Sequence, residues 1–242
     1  MAVSRRDRDV NIERCFAAGK HTDLVIHCAG TEFKVHKLIL TQYQYFVTLL
    51  EGSFKEKDAD VIDLSADHHD TLHALLHYIY YYTYDEAEQA AFPAMIFHIH
   101  VYAIADKYDI PALQALAANK LAKLCDKDYD EDVFSDAIEA VYNCTRQEDQ
   151  TLRKVVIMGV RRNYPMLERE SKAFRALKLE LPKFTNDLID ALHASAGITV
   201  VCHNCGEPFG INLAKKKEGS CVYCGRYDPD WSKYTYTEYP NG

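Results

Sequence analysis

Four cysteines near the end of the chain stand in two C-x-x-C pairs, within the stretch "VCHNCGEPFGINLAKKKEGSCVYCG". They are Cys202, Cys205, Cys221 and Cys224. Fifteen residues separate the pairs, which lies in the spacing range of Cys₄ zinc sites, and each pair is followed by a glycine that allows the tight turn of a zinc knuckle. Four protein ligands leave no coordination position for water. The motif therefore predicts a small zinc ribbon that holds one structural Zn²⁺.

The compartment decides between a metal and disulfides for these cysteines. The first residues, "MAVSRRDRDVNIERC", contain no apolar run of the kind that a secretory signal needs, and no segment reaches the roughly 18 apolar residues that cross a bilayer. We therefore expect a protein of the cytoplasm, the nucleus or both, with no membrane segment. Because thiols stay reduced there, the pairs are predicted to bind zinc, and disulfides are the alternative.

A lysine run between the two cysteine pairs is the candidate contact for nucleic acid. It consists of Lys215, Lys216 and Lys217, whose charges suit phosphate groups. Residues 198–242, however, carry five basic and five acidic side chains, and the net charge of the whole chain is −8. A solvated loop is the favoured interpretation, and nucleic-acid binding stays as the alternative. The single tryptophan and the tyrosines that follow either pack on the ribbon or form a contact surface.

Two further groups have residue types that do chemistry in other proteins. His69, His73 and His77 recur every four residues, on one face of a predicted helix, and we interpret them as its flank, with a metal site as the alternative. Asp23 and His36 are an acid and a histidine, but no motif places a nucleophile beside them. Since the sequence also has no phosphate-binding loop, nucleophile elbow or open metal site, we do not predict an enzyme.

The hydrophobic periodicity predicts the elements that position these residues. A helix is expected at about residues 9–18. The stretch "DLVIHCAGTEFKVHKLIL" from Asp23 alternates in two short runs around Ala29-Gly30, which predicts a β-hairpin followed by a helix, and "VIDL" predicts a third strand. Helical spacing then predicts three amphipathic helices, for which Pro93 and Pro111 are start signals. The acidic residues 126–132 are predicted to mark a boundary, and residues 133–196 to be helical again.

Seven segments, in the same order as in the family, resemble the BTB/POZ domain, an interaction module. They are Asp23 at the start of the first strand, "FKVHKLIL" (Phe33–Leu40), "YF" (Tyr45–Phe46), "GSFKE" (Gly52–Glu56), "VIDL" (Val61–Leu64), "LLHYIY" (Leu75–Tyr80) and "VYAIADKYDIPALQALAANKL" (Val101–Leu121). The helices that follow are similar to the extension of many fungal members and to the BACK region of cullin adaptors. One departure is the turn after the fourth helix, where the family often has Tyr-Thr-Gly and this chain reads Tyr80-Tyr81-Tyr82-Thr83, so the glycine that favours a positive φ is absent.

The resemblance implies a fold class and an organisation in five parts. The fold class is α+β: a BTB/POZ fold with a short β-sheet flanked by helices, then an all-α extension and the zinc ribbon. The predicted parts are an N-terminal helix or arm at 1–20, the BTB/POZ domain at 21–125, the helical extension at 126–197, the Cys₄ ribbon at 198–228 and a tyrosine-rich tail at 229–242.

The resemblance also implies interface residues and a function. Phe54 and Glu56 stand where many adaptors dock the third cullin, and the alternative is a capped loop that ends the third helix. Asp23 and Lys37 stand where dimeric members form a pocket between subunits, so their assignment depends on dimerisation. The implied function is a non-enzymatic interaction module that binds a cullin or a second copy, as a substrate adaptor of a ubiquitin ligase. The alternative is a BTB-assembled nuclear regulator that contacts chromatin or nucleic acid through the ribbon.

Overall fold

The computed structural model describes residues 5–52, 59–85, 91–125, 130–193, 198–211, 218–221 and 224–234. The chain divides into two units, Met1–Leu177 and Lys178–Gly242. Among the helices in these described ranges, none combines the length and the apolar character that crossing a bilayer requires.

A three-stranded sheet contains the predicted hairpin and the predicted third strand. Strands β1 (Leu24–Cys28) and β2 (Thr31–Val35) pair antiparallel, and β3 (Val61–Asp63) pairs with β1 in parallel. Along β1, fully buried side chains alternate with partly exposed ones, because successive residues of a strand point to opposite faces. Both elements expected from the alternating pattern are therefore confirmed.

The turn between β1 and β2 consists of Ala29 and Gly30. Their φ angles are 47° and 81°, both positive, as a type I′ hairpin turn requires. Glycine adopts this conformation freely, whereas alanine at a positive φ brings its Cβ close to the backbone. The turn that sets the hairpin register thus combines Gly30, which adopts a positive φ freely, with Ala29, which is strained there.

Helices precede and follow these strands in the first unit. They are α1 (Arg5–Ala17), α2 (Lys37–Leu40), α3 (Gln44–Glu51), α4 (His69–Tyr81), α5 (Ala94–Lys107) and α6 (Pro111–Cys125). α1 packs against α4, α4 against α5, and α5 against α6. Pro111 is the first residue of α6 and Pro93 is the residue before α5, so both prolines lie at helix starts, where a missing N–H costs nothing. The N-terminal helix and the three amphipathic helices are confirmed.

The end of α4 lies in the segment Tyr80–Thr83, which contains no glycine, and its C-cap is Tyr82. Tyr82 has a φ of 56°, and its N–H donates to the carbonyl oxygen of Tyr78 at 2.8 Å. This is a left-handed C-cap, the conformation for which glycine is the usual residue. The chain therefore adopts a positive φ at this helix end without a glycine, at a tyrosine and at some cost in strain.

The region after residue 130 is helical, as its periodicity predicts. Its helices are α7 (Glu131–Cys144), α8 (Thr151–Glu170), α9 (Lys172–Glu180) and α10 (Pro182–His193). The carboxylate of Asp130 caps α7 by accepting from the N–H groups of Asp132 and Val133 at 3.0 and 3.1 Å. α7 packs against α5, and α8 packs against α6. The acidic residues 130–132 thus cap and begin a helix of the first unit.

The second unit contains two antiparallel strand pairs after α10. Its strands are β4 (Ile198–Val201), β5 (Pro208–Ile211), β6 (Gly219–Ser220) and β7 (Tyr227–Asp228), paired β4 with β5 and β6 with β7. One 3₁₀ turn, Trp231–Tyr234, follows. Strands β4 and β5 flank the first C-x-x-C motif, and strands β6 and β7 flank the second. These two hairpins bring the four cysteines together.

Candidate functional site

The four cysteine sulfurs of the two C-x-x-C pairs form one cluster. All four Sγ atoms lie within 4.8 Å of one another. Cys202 Sγ lies 3.7 Å from Cys224 Sγ, and Cys205 Sγ lies 3.8 Å from Cys221 Sγ, so the two motifs contact each other. None of the four is in a disulfide. The arrangement is that of four independent thiol donors that face a common centre.

The two knuckles have the same backbone geometry, and glycine makes it accessible. Gly206 and Gly225 have φ angles of 74° and 71°. In the first knuckle, the N–H of Gly206 donates to the carbonyl oxygen of Cys202 at 2.8 Å; in the second, the N–H of Gly225 donates to that of Cys221 at 2.9 Å. The positive φ turns the chain back within four residues, which aims both cysteines of each pair at one point.

The donor set fits a tetrahedral metal ion. A tetrahedron with Zn–S bonds of about 2.3 Å has edges of about 3.8 Å, which agrees with the sulfur separations across the cluster. Main-chain N–H of Arg226 and the side-chain amide of Asn204 lower the pKa of Cys224 to about 6, below the ordinary value of 9.0. Thiolate is the form that binds a metal, and these donors favour it. The cluster is therefore compatible with a metal ion, as the spacing predicts.

Trp231 packs against the cysteine cluster, and the sequence alone did not predict this contact. Its side chain is fully buried with Val200, Cys202 and Cys221, and its indole N–H donates to the carbonyl oxygen of Gly219 at 3.0 Å. Of the two alternatives for the tryptophan, the structure shows packing, against the cysteine cluster and Val200. The only usable signal was that the chain's single tryptophan lies seven residues after Cys224.

The lysine run Lys215–Lys217 and the tail from residue 235 lie outside the described residues. So do Phe54 and Glu56, which fall in the gap 53–58 between α3 and β3. Their predicted roles in nucleic-acid contact and in cullin docking stay predictions.

Asp23 and Lys37, the other predicted interface residues, meet at the start of α2, but not as an ion pair. A carboxylate oxygen of Asp23 accepts from the main-chain N–H of Lys37 at 2.7 Å. The ammonium group of Lys37 instead lies 3.6 Å from Asp60. Asp23 thus satisfies a backbone donor at the first turn of a short helix.

A groove of about 380 Å³ opens beside Asp23, between α1 and α2. Its lining residues are Asn11, Ile12, Cys15, His21, Asp23, His36, Leu38 and Ile39. Next to it, Leu38 is 78% exposed, which is unusual for a leucine in a folded domain. One predicted interface residue, Asp23, therefore lies at an apolar groove.

The pair Asp23 and His36 does not form a catalytic arrangement. Both ring nitrogens of His36 are engaged: Nε2 lies 2.8 Å from the carbonyl oxygen of Lys20 and Nδ1 lies 2.9 Å from the hydroxyl of Tyr80. The same hydroxyl accepts from the main-chain N–H of His36 at 2.9 Å. A histidine with both nitrogens bound in this way has no free site for a substrate proton. Its role is to connect the end of α1, the start of α2 and α4.

Comparison with known proteins finds one family match, which lies in the first unit. Residues 12–124 match the family model described as BTB/POZ domain. A curated relative, the "Kelch repeat protein M-T8" of Myxoma virus (strain Lausanne), is 40% identical over 68 residues, which is 28% of this chain and 13% of the viral protein. The solved BTB (Tramtrack and Bric a brac) domain of human Gigaxonin aligns at 21% identity and a TM-score of 0.37, over 49% of this chain and 95% of that one.

Proposed function

Residues 12–124 form a BTB/POZ domain, and on that premise we propose that this protein is a non-enzymatic adaptor with two binding parts. The BTB/POZ domain binds a common partner, either a cullin or a second copy of the chain. The cysteine cluster, loaded with one structural zinc ion, makes the end of the chain into a second, rigid contact surface for a client. Such an adaptor works in a reducing compartment, the cytoplasm or the nucleus, where the thiols stay available to the metal.

One observation carries this proposal. The four-cysteine cluster and its buried tryptophan belong to the unit Lys178–Gly242, whereas the BTB/POZ domain lies in the unit Met1–Leu177. A BTB/POZ domain with a second, separately built unit has the parts that an adaptor needs. The viral relative is named a Kelch repeat protein, and the segment that matches this chain is likewise only one part of it, 13% of its length.

The cullin assignment rests on the sequence of the α3–β3 connection. Phe54 offers an aromatic anchor and Glu56 a carboxylate that sets the register, a combination typical of protein-interface hot spots. If the common partner is the third cullin, the client becomes a target for ubiquitylation.

Calorimetric titration of the zinc-loaded chain with the N-terminal domain of the third cullin tests this assignment. We expect binding by the intact chain and its loss in the double variant Phe54→Ala/Glu56→Ala. A matched control is Tyr227→Ala/Glu218→Ala, which removes another exposed aromatic residue and acid, linked at 2.6 Å on the ribbon, and leaves cullin binding unchanged. Absence of binding by the intact chain contradicts the ligase assignment.

If the intact chain does not bind the cullin, self-assembly is the alternative. The groove beside α2 allows self-assembly to be tested. A second copy that docks there covers the exposed Leu38. Sedimentation equilibrium of the intact chain and of Leu38→Asp then separates the two partners. A dimer that the substitution converts to a monomer supports the second copy, and it places Asp23 and Lys37 near that interface.

A further inference from the structure

Three histidines of α4, here called the histidine row, lie on one face of the helix at a spacing that suits metal binding. His69, His73 and His77 lie one turn apart, with ring centroids 6.4 Å apart for the first pair and 6.1 Å for the second. Side chains four residues apart on a helix share a face, and two histidines at this spacing are the usual helical metal-binding pair. A metal site also requires that each ring has a nitrogen with a free lone pair and is held in place by its neighbours.

Hydrogen bonding determines which nitrogen of His77 is free. Its Nδ1 lies 2.8 Å from the carbonyl oxygen of Thr83. A carbonyl oxygen only accepts, so Nδ1 carries the hydrogen and Nε2 keeps its lone pair. Metal-binding histidines typically donate their other N–H to a carbonyl or a carboxylate, which orients the ring and makes the free nitrogen a better donor. Stacking on Tyr81, with centroids 4.2 Å apart, holds the ring further.

His69 is held in a related way at the other end of the row. Its Nδ1 lies 2.9 Å from a carboxylate oxygen of Asp70, so it too donates from Nδ1. Between them, His73 makes no hydrogen bond to any residue that the structure describes, and its ring is exposed. An ion that His73 binds therefore displaces no hydrogen bond to the described residues.

Ring orientation selects one of the two pairs. The lone pair of an imidazole nitrogen lies in the plane of its ring, so an ion shared by two histidines must lie in both planes. The rings of His69 and His73 are stacked and nearly parallel, at 14°, so an ion cannot lie in both of their planes. The ring planes of His73 and His77 cross at 44°, so an ion on the line where they cross lies in both. His69 and His77 are eight residues apart, about 12 Å along the helix, which is too far for one ion to reach both.

We propose that His73 and His77 bind one divalent transition-metal ion of the class that prefers imidazole, such as Zn²⁺, Ni²⁺ or Cu²⁺, with Nε2 of His77 as one donor. Among the residues described, the cysteine cluster is the one group of three or more metal-ligating side chains that converge, so this is a two-histidine site. Water fills its remaining positions, and the ion is exchangeable, unlike the structural ion proposed for the ribbon. The site is independent of the adaptor function.

Native mass spectrometry of the full chain at micromolar free zinc tests the proposal by counting bound ions. We expect the wild type to bind one ion more than His73→Gln and His77→Gln, because glutamine keeps the helix but not the donor. His69→Gln and His27→Gln are matched controls and should equal the wild type; His27 lies on β1, 3.2 Å from Glu32. The cysteine cluster is the same in all variants, so it cancels from the comparison.

Equal ion counts in the wild type and all four variants overturn the proposal. Loss of an ion in His69→Gln and His73→Gln, but not in His77→Gln, overturns the choice of pair. As a second measurement, ¹⁵N spectra of the imidazole groups should show zinc shifting Nε2 of His77 and a nitrogen of His73, with His69 unmoved. Circular dichroism without added zinc establishes that the variants keep their helices.

Discussion

Replacing Cys221 with serine should expose the chain's single tryptophan. Cys221 and Trp231 are in one buried cluster, and Trp231 has no exposed surface. Serine keeps the size of the side chain but is a poor ligand for zinc, so the proposed ion is lost or weakly held. If zinc holds the two knuckles together, the whole ribbon opens and its tryptophan becomes accessible to water.

Magnitudes indicate that packing alone cannot keep the ribbon closed. Burying about 200 Å² of tryptophan at about 25 cal/mol/Å² contributes about 5 kcal/mol, and that is an upper estimate. Ordering the backbone of the two knuckles, about 12 residues, costs about 12–24 kcal/mol. Structural zinc supplies about 10–16 kcal/mol of coupled binding and folding in comparable peptides, a value from which the ordering cost has already been subtracted. Without the metal, the ordering cost is larger than the gain.

Tryptophan fluorescence of the full chain, excited away from the tyrosines, measures the effect. We expect Cys221→Ser to shift the emission to longer wavelength and to increase quenching by iodide, and a zinc chelator to do the same to the wild type. Cys144→Ser is the matched control, since Cys144 lies in α7 and outside the cluster. A zinc-free chain whose tryptophan stays shielded would refute the argument that the metal holds the ribbon together.

Three further predictions concern the first unit. Ala29→Asn should raise the free energy of unfolding by about 1 kcal/mol in urea titration, because asparagine tolerates the left-handed turn; an unchanged midpoint would contradict this. Gly159→Ala should lower the same quantity by about 1–3 kcal/mol, since a Cβ there lies 2.9 Å from the ring of Phe134, and Ala137→Gly is a contrasting helix variant without that clash. Burial, then the charge of His68, lowers the pKa of His100 below 6.5, so the unfolded chain binds the proton more readily and stability falls as the pH drops through 6.5. Replacing His100 with glutamine should flatten that pH dependence of the melting temperature, and an equal slope in both proteins would contradict the assignment.

Local patterns in the sequence were sufficient to predict the elements and the cysteine cluster. Two alternating runs around Ala29-Gly30 predict β1 and β2, because residue alternation in a strand is a local property of the backbone. Leucines at helical spacing predict α4 and α6 for the same reason. The C-x-x-C spacing predicts the cysteine cluster, since a knuckle is a turn of four residues whose geometry depends on its own glycine.

Contacts between distant residues were beyond such patterns. Trp231 belongs to the cysteine cluster, although nothing in its neighbours along the chain says which surface it covers. Asp23 binds the backbone of Lys37, where the family resemblance suggested only that both residues are near an interface. α7 and α8 pack on α5 and α6, although the acidic residues before them suggested a boundary.

The sequence by itself therefore determined the order of the elements and the four candidate metal ligands, because these depend on periodicity and spacing over short lengths of chain, and the resemblance of seven segments to the BTB/POZ family indicated the fold. Only the tertiary structure decided which nitrogen of His77 is free, which ring plane crosses that of His73, and that Trp231 lies beneath the knuckles. Those facts depend on where a carbonyl group, a ring or a strand pair arrives after folding. Side-chain chemistry is local, but the partners that orient it come from elsewhere in the fold.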